Sequence, residues 1–236
     1  MSLKFGDLNI GSMYFGERKI AEGWLGDVKV YGGSSPVLPA NTIRLEYTDG
    51  VTPTFTYGTA TQVSSSPNVW DLTYNNTLWN NLLAYHSDLL QVIAANTTGV
   101  TSMVAMFNNC TSLTSVPLFD TSSVTSMVDM FYKCTNLASV PLFDTSSVTT
   151  IYRMFWNCTS LTSVPLFDTS NVTNMVEMFI NCRYVESGAL ALYQQASMQT
   201  TPPANHTNTF YKCGANTVTG RAELAQIPTD WGGTAH

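Results

Sequence analysis

The stretch VTSMVAMFNNCTSLTSVPLFDTSS, residues 100–123, recurs almost unchanged over residues 124–147 and 148–171. A fourth copy opens at residue 172 with VTNMVEMFINC and breaks off after Cys182. Self-similarity at a fixed period of about 20–50 residues is the signature of a protein built from repeats. No single copy can bury its apolar side alone, so we expect the copies to stack on one another.

Each copy is predicted to contain one helix and one short strand. Four apolar side chains in the second copy fall at i, i+3, i+7 and i+10, the spacing of one helix face: Val124, Met127, Phe131 and Cys134. The apolar run that follows predicts a short strand, interrupted by Pro141, which cannot donate to a ladder. One strand plus one helix per repeat is the unit of a leucine-rich-repeat solenoid. The predicted fold class is therefore α+β, an N-terminal β-hairpin module followed by a capped solenoid.

A second, shorter repeat occupies the N-terminus. FGDLNI, FGERKI and LGDVKV begin ten residues apart, and each holds a Gly-acidic pair that favours a two-residue hairpin turn. Four short strands are predicted, and so small a sheet with open edges needs a partner to dock on. The candidate assembly residues are Phe5, Phe15, Trp24, Leu25 and Tyr31.

Changes of composition divide the chain into five parts. Repeat arrays need caps at their ends, and the irregular segments on either side of the copies fit that role. The predicted parts are the β-hairpin attachment module 1–33, a Gly-Ser-Pro linker 34–40, an α+β N-terminal cap 41–99, the solenoid 100–182, and a degenerate last repeat with a C-terminal cap 183–236.

Local patterns predict four elements inside the two caps. Strand-like pieces occur at Thr42–Tyr47 and Thr54–Tyr57. Apolar residues at positions 78, 82, 85, 89 and 93 predict an amphipathic helix over Leu78–Ile93. A further helix is predicted over Ala189–Ala196, before a Pro-Pro pair.

Composition excludes several classes of function. Charged residues make up 11% of the chain and the net charge is −6, so there is no basic footprint for nucleic acid or anionic membranes. No apolar stretch reaches the ~20 residues of a membrane helix, so we expect no membrane insertion. No nucleophile, phosphate-binding or metalloprotease motif occurs. We therefore expect no enzymatic activity, no cofactor and no metal.

Two repeated columns have competing interpretations. The five cysteines, at 110, 134, 158, 182 and 213, could form disulfides or bind metal, but they lack the close pairs of a zinc site and their number is odd. A buried ladder of thiols is favoured. The carboxylates of Asp120, Asp144 and Asp168 could line a calcium site, but capping of the following segment explains the column.

The columns that differ between copies identify a candidate ligand-binding site. Tyr152 and Trp156 stand at i and i+4 of the predicted helix, and Tyr132 lies one repeat away. Lys133 and Arg153 complete the set, because aromatic and arginine side chains dominate binding hot spots. The alternative is sequence drift on an unimportant helical face.

The repeats carry a family resemblance. Their M-F-x-x-C-x-x-L and F-D-T-S-x-V-T-x-M phrases resemble the BspA-type leucine-rich repeats of bacterial surface proteins, and FYKC at 210–213 echoes FYKC at 131–134. This resemblance implies a right-handed solenoid used for display and adhesion, with no catalytic residues.

The N-terminal hairpins and the segment TDGVTPTF that precedes the repeats resemble composite virion proteins of bacteriophages that infect gut Bacteroidales. This resemblance implies a structural or fibre-like protein of the capsid or tail that assembles in the host cytoplasm and displays its repeats for host attachment. Expected partners are other virion proteins through residues 1–33, further copies of the chain, as in a trimer, and a bacterial surface protein or glycan. The alternative is a bacterial cell-surface adhesin, but the first residues lack a signal-peptide layout.

Overall fold

The computed structural model describes residues 23–25, 28–30 and 38–234. The chain divides into two compact units, Met1–Pro39 and Ala40–His236. In the first unit, strands β1 (Gly23–Leu25) and β2 (Val28–Val30) form an antiparallel pair. The other predicted hairpin strands lie outside the described residues, as do three of the candidate assembly residues, Phe5, Phe15 and Tyr31, and the side chains of Trp24 and Leu25.

The second unit opens with a four-stranded antiparallel sheet. Its strands, in the spatial order β4-β5-β3-β6, are β3 (Thr42–Tyr47), β4 (Thr59–Ser65), β5 (Asn68–Thr73) and β6 (Leu89–Asn96). Successive side chains of a strand point to opposite faces, so Ile43, Leu45 and Tyr47 are buried. On the other face Arg44 forms a bidentate ion pair with Asp71, at 2.7 Å for both contacts.

The sequence predictions for residues 41–99 are correct only in part. Strand β3 has its predicted bounds, whereas the next strand begins at Thr59 and not at Thr54. The helix predicted over Leu78–Ile93 is wrong, because turns and then strand β6 occupy that range. Between residues 41 and 99 the structure therefore has one antiparallel sheet and no helix, in place of an α+β cap.

The predicted leucine-rich-repeat solenoid is also wrong, because residues 100–182 hold neither the helix nor the strand of its repeating unit. They form successive turns joined by isolated bridges. An α-helix cannot pass through left-handed residues, and each copy has two, such as Asp129 (φ 55°) and Lys133 (φ 58°). Three-residue turn hydrogen bonds, such as that from the N–H of Cys134 to the carbonyl of Phe131, direct apolar side chains inward at helix-like intervals. The sequence period of a helix face therefore arises here without a helix.

Backbone hydrogen bonds connect each copy to the next. The N–H groups of Asp129, Phe131 and Lys133 donate to carbonyls 23 residues further on, at 3.0, 2.9 and 2.8 Å. Single parallel bridges join residues 24 apart, beginning before the recognised copies with Leu78↔Ser102, and a last bridge, Asn174↔Asn205, spans a longer interval. We name residues 77–182 and 205–213 the repeat stack. It contains six turns of chain, one before and one after the four copies visible in the sequence.

Columns of identical side chains fill the interior of the repeat stack. Neighbouring phenylalanine rings lie 5.2–5.9 Å apart and nearly parallel, in a column made of Phe107, Phe131, Phe155, Phe179 and Phe210. The five cysteines form a second column, and all are free and buried, so the predicted thiol ladder is confirmed. The Sγ of Cys134 donates to the carbonyl of Phe107 at 3.1 Å, and its neighbours repeat the contact.

Three short helices follow the fourth copy. They are α1 (Ala189–Ser197), α2 (Val218–Leu224) and a 3-10 turn (Thr229–Trp231). Helix α1 confirms the prediction over Ala189–Ala196, and its Gln195 donates to the carbonyl of Phe167 at 2.6 Å. The Trp231 ring stacks 4.2 Å from His206, in the last turn of the repeat stack. None of the helices in residues 38–234 is both long enough and apolar enough to span a membrane.

Candidate functional site

Five side chains predicted from the sequence meet on the outer surface of the repeat stack. Tyr132 and Lys133 come from one copy, and Tyr152, Arg153 and Trp156 come from the next. The methionine and phenylalanine of each copy are fully buried, whereas the five residues that meet here are all partly exposed. We name these five residues the aromatic patch.

Stacked rings form the centre of the aromatic patch. The Tyr132 and Trp156 rings lie 4.8 Å apart, with their planes inclined by only 11°. The Nζ of Lys133 lies 5.3 Å from the Tyr132 ring centre and 5.6 Å from that of Trp156. A cation within about 6 Å of a ring centre is attracted by the ring's electrons. The Lys133 ammonium group therefore attracts both rings.

Arg153 holds the rest of the aromatic patch together. Its guanidinium donates to both carboxylate oxygens of Asp129, each at 3.0 Å, and lies 4.4 Å from the Tyr152 ring centre and 5.3 Å from that of Tyr132. Partial burial opposes its charge, but the hydrogen bonds to Asp129 raise the pKa of Arg153 above its ordinary value. Since Asp129 neutralises Arg153, the ammonium of Lys133 provides the net charge of the patch.

The predicted convergence is correct, but the helix reasoning behind it is wrong. Tyr152 and Trp156 belong to a chain of turns, with Arg153 in the left-handed conformation between them (φ 52°). Tyr132 reaches Trp156 because equivalent residues of adjacent copies stack, whatever the local backbone. Interdigitated rings and cations at fixed positions form a rigid, partly exposed surface that can bind a flat or polar ligand with little loss of side-chain freedom.

The carboxylate column is explained by local turns. Asp120 and Asp144 each accept hydrogen bonds from the hydroxyl and the N–H of the serine two residues on, with hydroxyl distances of 2.7 and 2.6 Å. These serine hydroxyls are the main reason that the pKa of both carboxyl groups is lowered. Within residues 38–234, no group of three or more His, Cys, Asp or Glu side chains is placed to hold a metal ion.

A polar cleft that no sequence pattern indicated lies at the N-terminal end of the repeat stack. It lies between the loop 51–56 and the turn 84–88, and its volume is about 290 Å³. His86 and Tyr47 line it, and their side chains are joined by a hydrogen bond of 2.6 Å. The match of Thr77-Leu-Trp to Thr101-Ser-Met at the 24-residue period indicates a further turn of the stack before the first copy. The helix predicted over Leu78–Ile93 concealed this match.

Half of the chain, residues 75–192, matches a family described as "Mycoplasma protein of unknown function, DUF285". The chain belongs to the DUF285 family. The match begins two residues before the repeat stack and includes the whole aromatic patch and His86, but not Tyr47 or the loop 51–56. Comparison with curated proteins and with solved structures gave no significant match.

Proposed function

We propose that this DUF285 protein is a non-enzymatic recognition protein of a bacteriophage particle, and that the aromatic patch binds a ligand on the host surface. The observation that carries the proposal is the convergence of three aromatic rings and two cations from neighbouring copies at the positions where the copies differ. Tyrosine, tryptophan and arginine are the residue types enriched in binding hot spots. The resemblance to composite virion proteins supports the particle as the setting.

The rigidity of the patch supports binding in preference to drift. Sequence drift would not require these side chains to contact one another. The Arg153 guanidinium nevertheless contacts Asp129 and two aromatic rings, and the Lys133 ammonium lies near two aromatic rings. Each immobilised side chain saves about 0.5–1.5 kcal/mol that binding would otherwise cost in ordering. The stacked pair has no column of aromatic neighbours, because Asn108 precedes Tyr132 and Ile180 follows Trp156.

A bacterial cell-surface adhesin is the second candidate. The family description names Mycoplasma, a cellular source, and this favours a bacterial setting for the same binding surface. Mass spectrometry of purified phage particles separates the two settings. Detection of the chain in particles supports the virion, and detection on bacterial envelopes alone supports the adhesin.

Substitution of Trp156 tests the binding role in either setting. We expect Trp156→Ala to weaken binding to intact cells of a panel of gut Bacteroidales by about 2 kcal/mol or more, which is roughly 30-fold. The free energy of unfolding should fall by only about 0.5–1.5 kcal/mol, since the half-buried ring has one stacked partner.

Tyr184→Ala provides the matched control. Tyr184 is 54% exposed and lies outside the aromatic patch, so this variant should bind cells as the parent protein does. Unchanged cell binding by Trp156→Ala, combined with a clear loss of melting temperature, would mean that the patch is structural only.

A further inference from the structure

The cleft between the loop 51–56 and the turn 84–88 is closed at its base by a tyrosine–histidine pair. Tyr47 lies on strand β3 and is only 2% exposed, so its hydroxyl needs a partner inside the protein. That partner is Nδ1 of His86, at 2.6 Å. The Phe55 ring stacks on the imidazole at 5.5 Å and meets the Tyr47 ring edge-on at 6.0 Å. The histidine is therefore fixed in orientation.

The tautomer of His86 decides which ring nitrogen can donate to a ligand in the cleft. Burial lowers the pKa of His86, with Asp88 acting in the opposite direction, so the ring is neutral at physiological pH. Burial also raises the pKa of Tyr47, which keeps its hydroxyl protonated. If Tyr47 donates to Nδ1, the remaining proton lies on Nε2. This Nε2–H has no partner among the described residues and is not a buried unsatisfied atom, so it is available to a ligand.

The rest of the described lining is mainly polar and carries little charge. Thr52, Thr54, Thr56 and Ser87 contribute hydroxyl groups, and the exposed Asp88 contributes the only carboxylate among the described lining residues. None of the lining residues in the described range 38–234 is a lysine or arginine, so none of them neutralises a phosphate or carboxylate ligand. Hydroxyl groups both donate and accept, and this suits a ligand that does the same.

An exposed aromatic ring stands at the rim. Tyr85 is 72% exposed and left-handed, with a φ of 67°. The equivalent positions of the later copies hold asparagine or lysine in the same conformation, such as Asn109 and Lys133. A bulky residue at positive φ is uncommon. The first turn of the repeat stack thus differs from the later turns, because it presents an aromatic ring where they present polar side chains.

We propose that this cleft binds a neutral hexose unit. Its volume of about 290 Å³ is just below the range for small-molecule sites, about 300–1,000 Å³, and suits a single sugar ring. The Nε2–H of His86 and the hydroxyl groups meet the sugar's oxygens, Asp88 accepts from its hydroxyls, and the Tyr85 ring covers its apolar face. This site is separate from the aromatic patch and goes beyond the proposed function.

Saturation-transfer NMR of the full chain with free glucose, galactose, mannose, fucose and N-acetylglucosamine tests the proposal. We expect transfer to at least one of these sugars, with a millimolar dissociation constant, and weaker transfer to glucuronate. Tyr85→Ala and His86→Phe should each weaken binding at least fivefold. Tyr184→Ala, which removes an exposed ring elsewhere, should leave it unchanged.

Three results would overturn the proposal. The first is the absence of transfer for every neutral sugar, and the second is tighter binding of glucuronate than of any neutral sugar. The third is undiminished binding by Tyr85→Ala, whose exposed side chain can be removed without loss of the core, so folding is not in question even where His86→Phe is destabilised. None of these results bears on cell binding by Trp156→Ala.

Discussion

Replacement of Phe131 by alanine should reveal how strongly the repeats depend on one another. The Phe131 side chain is fully buried inside the phenylalanine column. Its ring lies 5.4 Å from the Phe107 ring and 5.4 Å from the Phe155 ring, with planes inclined by 5° and 12°, and 6.3 Å from the Phe143 ring. The substitution therefore removes three stacked contacts and leaves a cavity between intact neighbours.

The expected cost lies in the upper part of the usual range. A buried Phe→Ala change costs about 3–5 kcal/mol, and the cost depends on how far the site can collapse. Collapse is restricted here because the N–H groups of Phe107 and Phe131 hold adjacent copies at fixed separation, each by a hydrogen bond of 2.9 Å. The three ring contacts that are lost place the cost in the upper part of that range. We expect about 4–5 kcal/mol in total, against a typical domain stability of about 5–15 kcal/mol.

Urea unfolding followed by circular dichroism measures this loss, with Phe131→Leu as the matched control. Leucine keeps a larger apolar side chain than alanine and leaves a smaller cavity, so it should cost clearly less than alanine. A lower slope of free energy against urea in Phe131→Ala would show that the two ends of the repeat stack unfold separately. Equal costs for alanine and leucine, or a cost below about 1 kcal/mol for alanine, would refute the reasoning from cavity and stacking.

Three further predictions concern the thiols, His86 and the N-terminal unit. Burial raises the pKa of Cys110 and of Cys182 to about 12, so thiol reagents should label few cysteines in the native protein and all five after denaturation. Cys134→Ala should cost on the order of 1–2 kcal/mol, and an intact mass showing two disulfides would contradict both statements. Folding lowers the pKa of His86, so the native state binds fewer protons than the unfolded chain, and stability should fall as pH drops below about 6.5. This component should be absent from His86→Gln in urea titrations at several pH values. Deletion of residues 1–33 should leave a body with nearly unchanged melting temperature, because among the described residues the buried cluster lies within 43–231, and that body should fail to enter particles. Normal assembly, or loss of the folded body, would count against the attachment role.

The 24-residue period predicted more about this molecule than any local pattern did. The period predicted the buried cysteines, the phenylalanine column and the convergence of Tyr132 with Trp156. Residues one period apart stack on one another regardless of the secondary structure between them. The period could not distinguish a helix from a chain of turns, since both place apolar side chains inward every three or four residues. Only the left-handed residues distinguish the two structures, and half of these positions in the four copies hold alanine, lysine, arginine or glutamate, which rarely adopt that conformation.

Sequence patterns could not predict the cleft, for a different reason. In the first turn of the repeat stack, Trp79, Leu83 and His86 occupy the positions that the next copy gives to Met103, Phe107 and Cys110. These substitutions hide the period. The site also depends on how a loop from the sheet packs against that turn, and such a contact between distant segments leaves no local signature in the sequence.

The hydrogen bonds that join one copy to the next have a consequence for how this chain can change length. Every copy donates to its successor and accepts from its predecessor in the same pattern, so an in-frame duplication of 24 residues would reproduce each contact at the new junction. Such an event adds one phenylalanine to the column and moves the two ends apart by one ring spacing, between 5.2 and 5.9 Å. Recombination between near-identical copies can thus lengthen or shorten the molecule in discrete steps. The cleft at one end and the helices at the other would remain intact while the distance between them is adjusted.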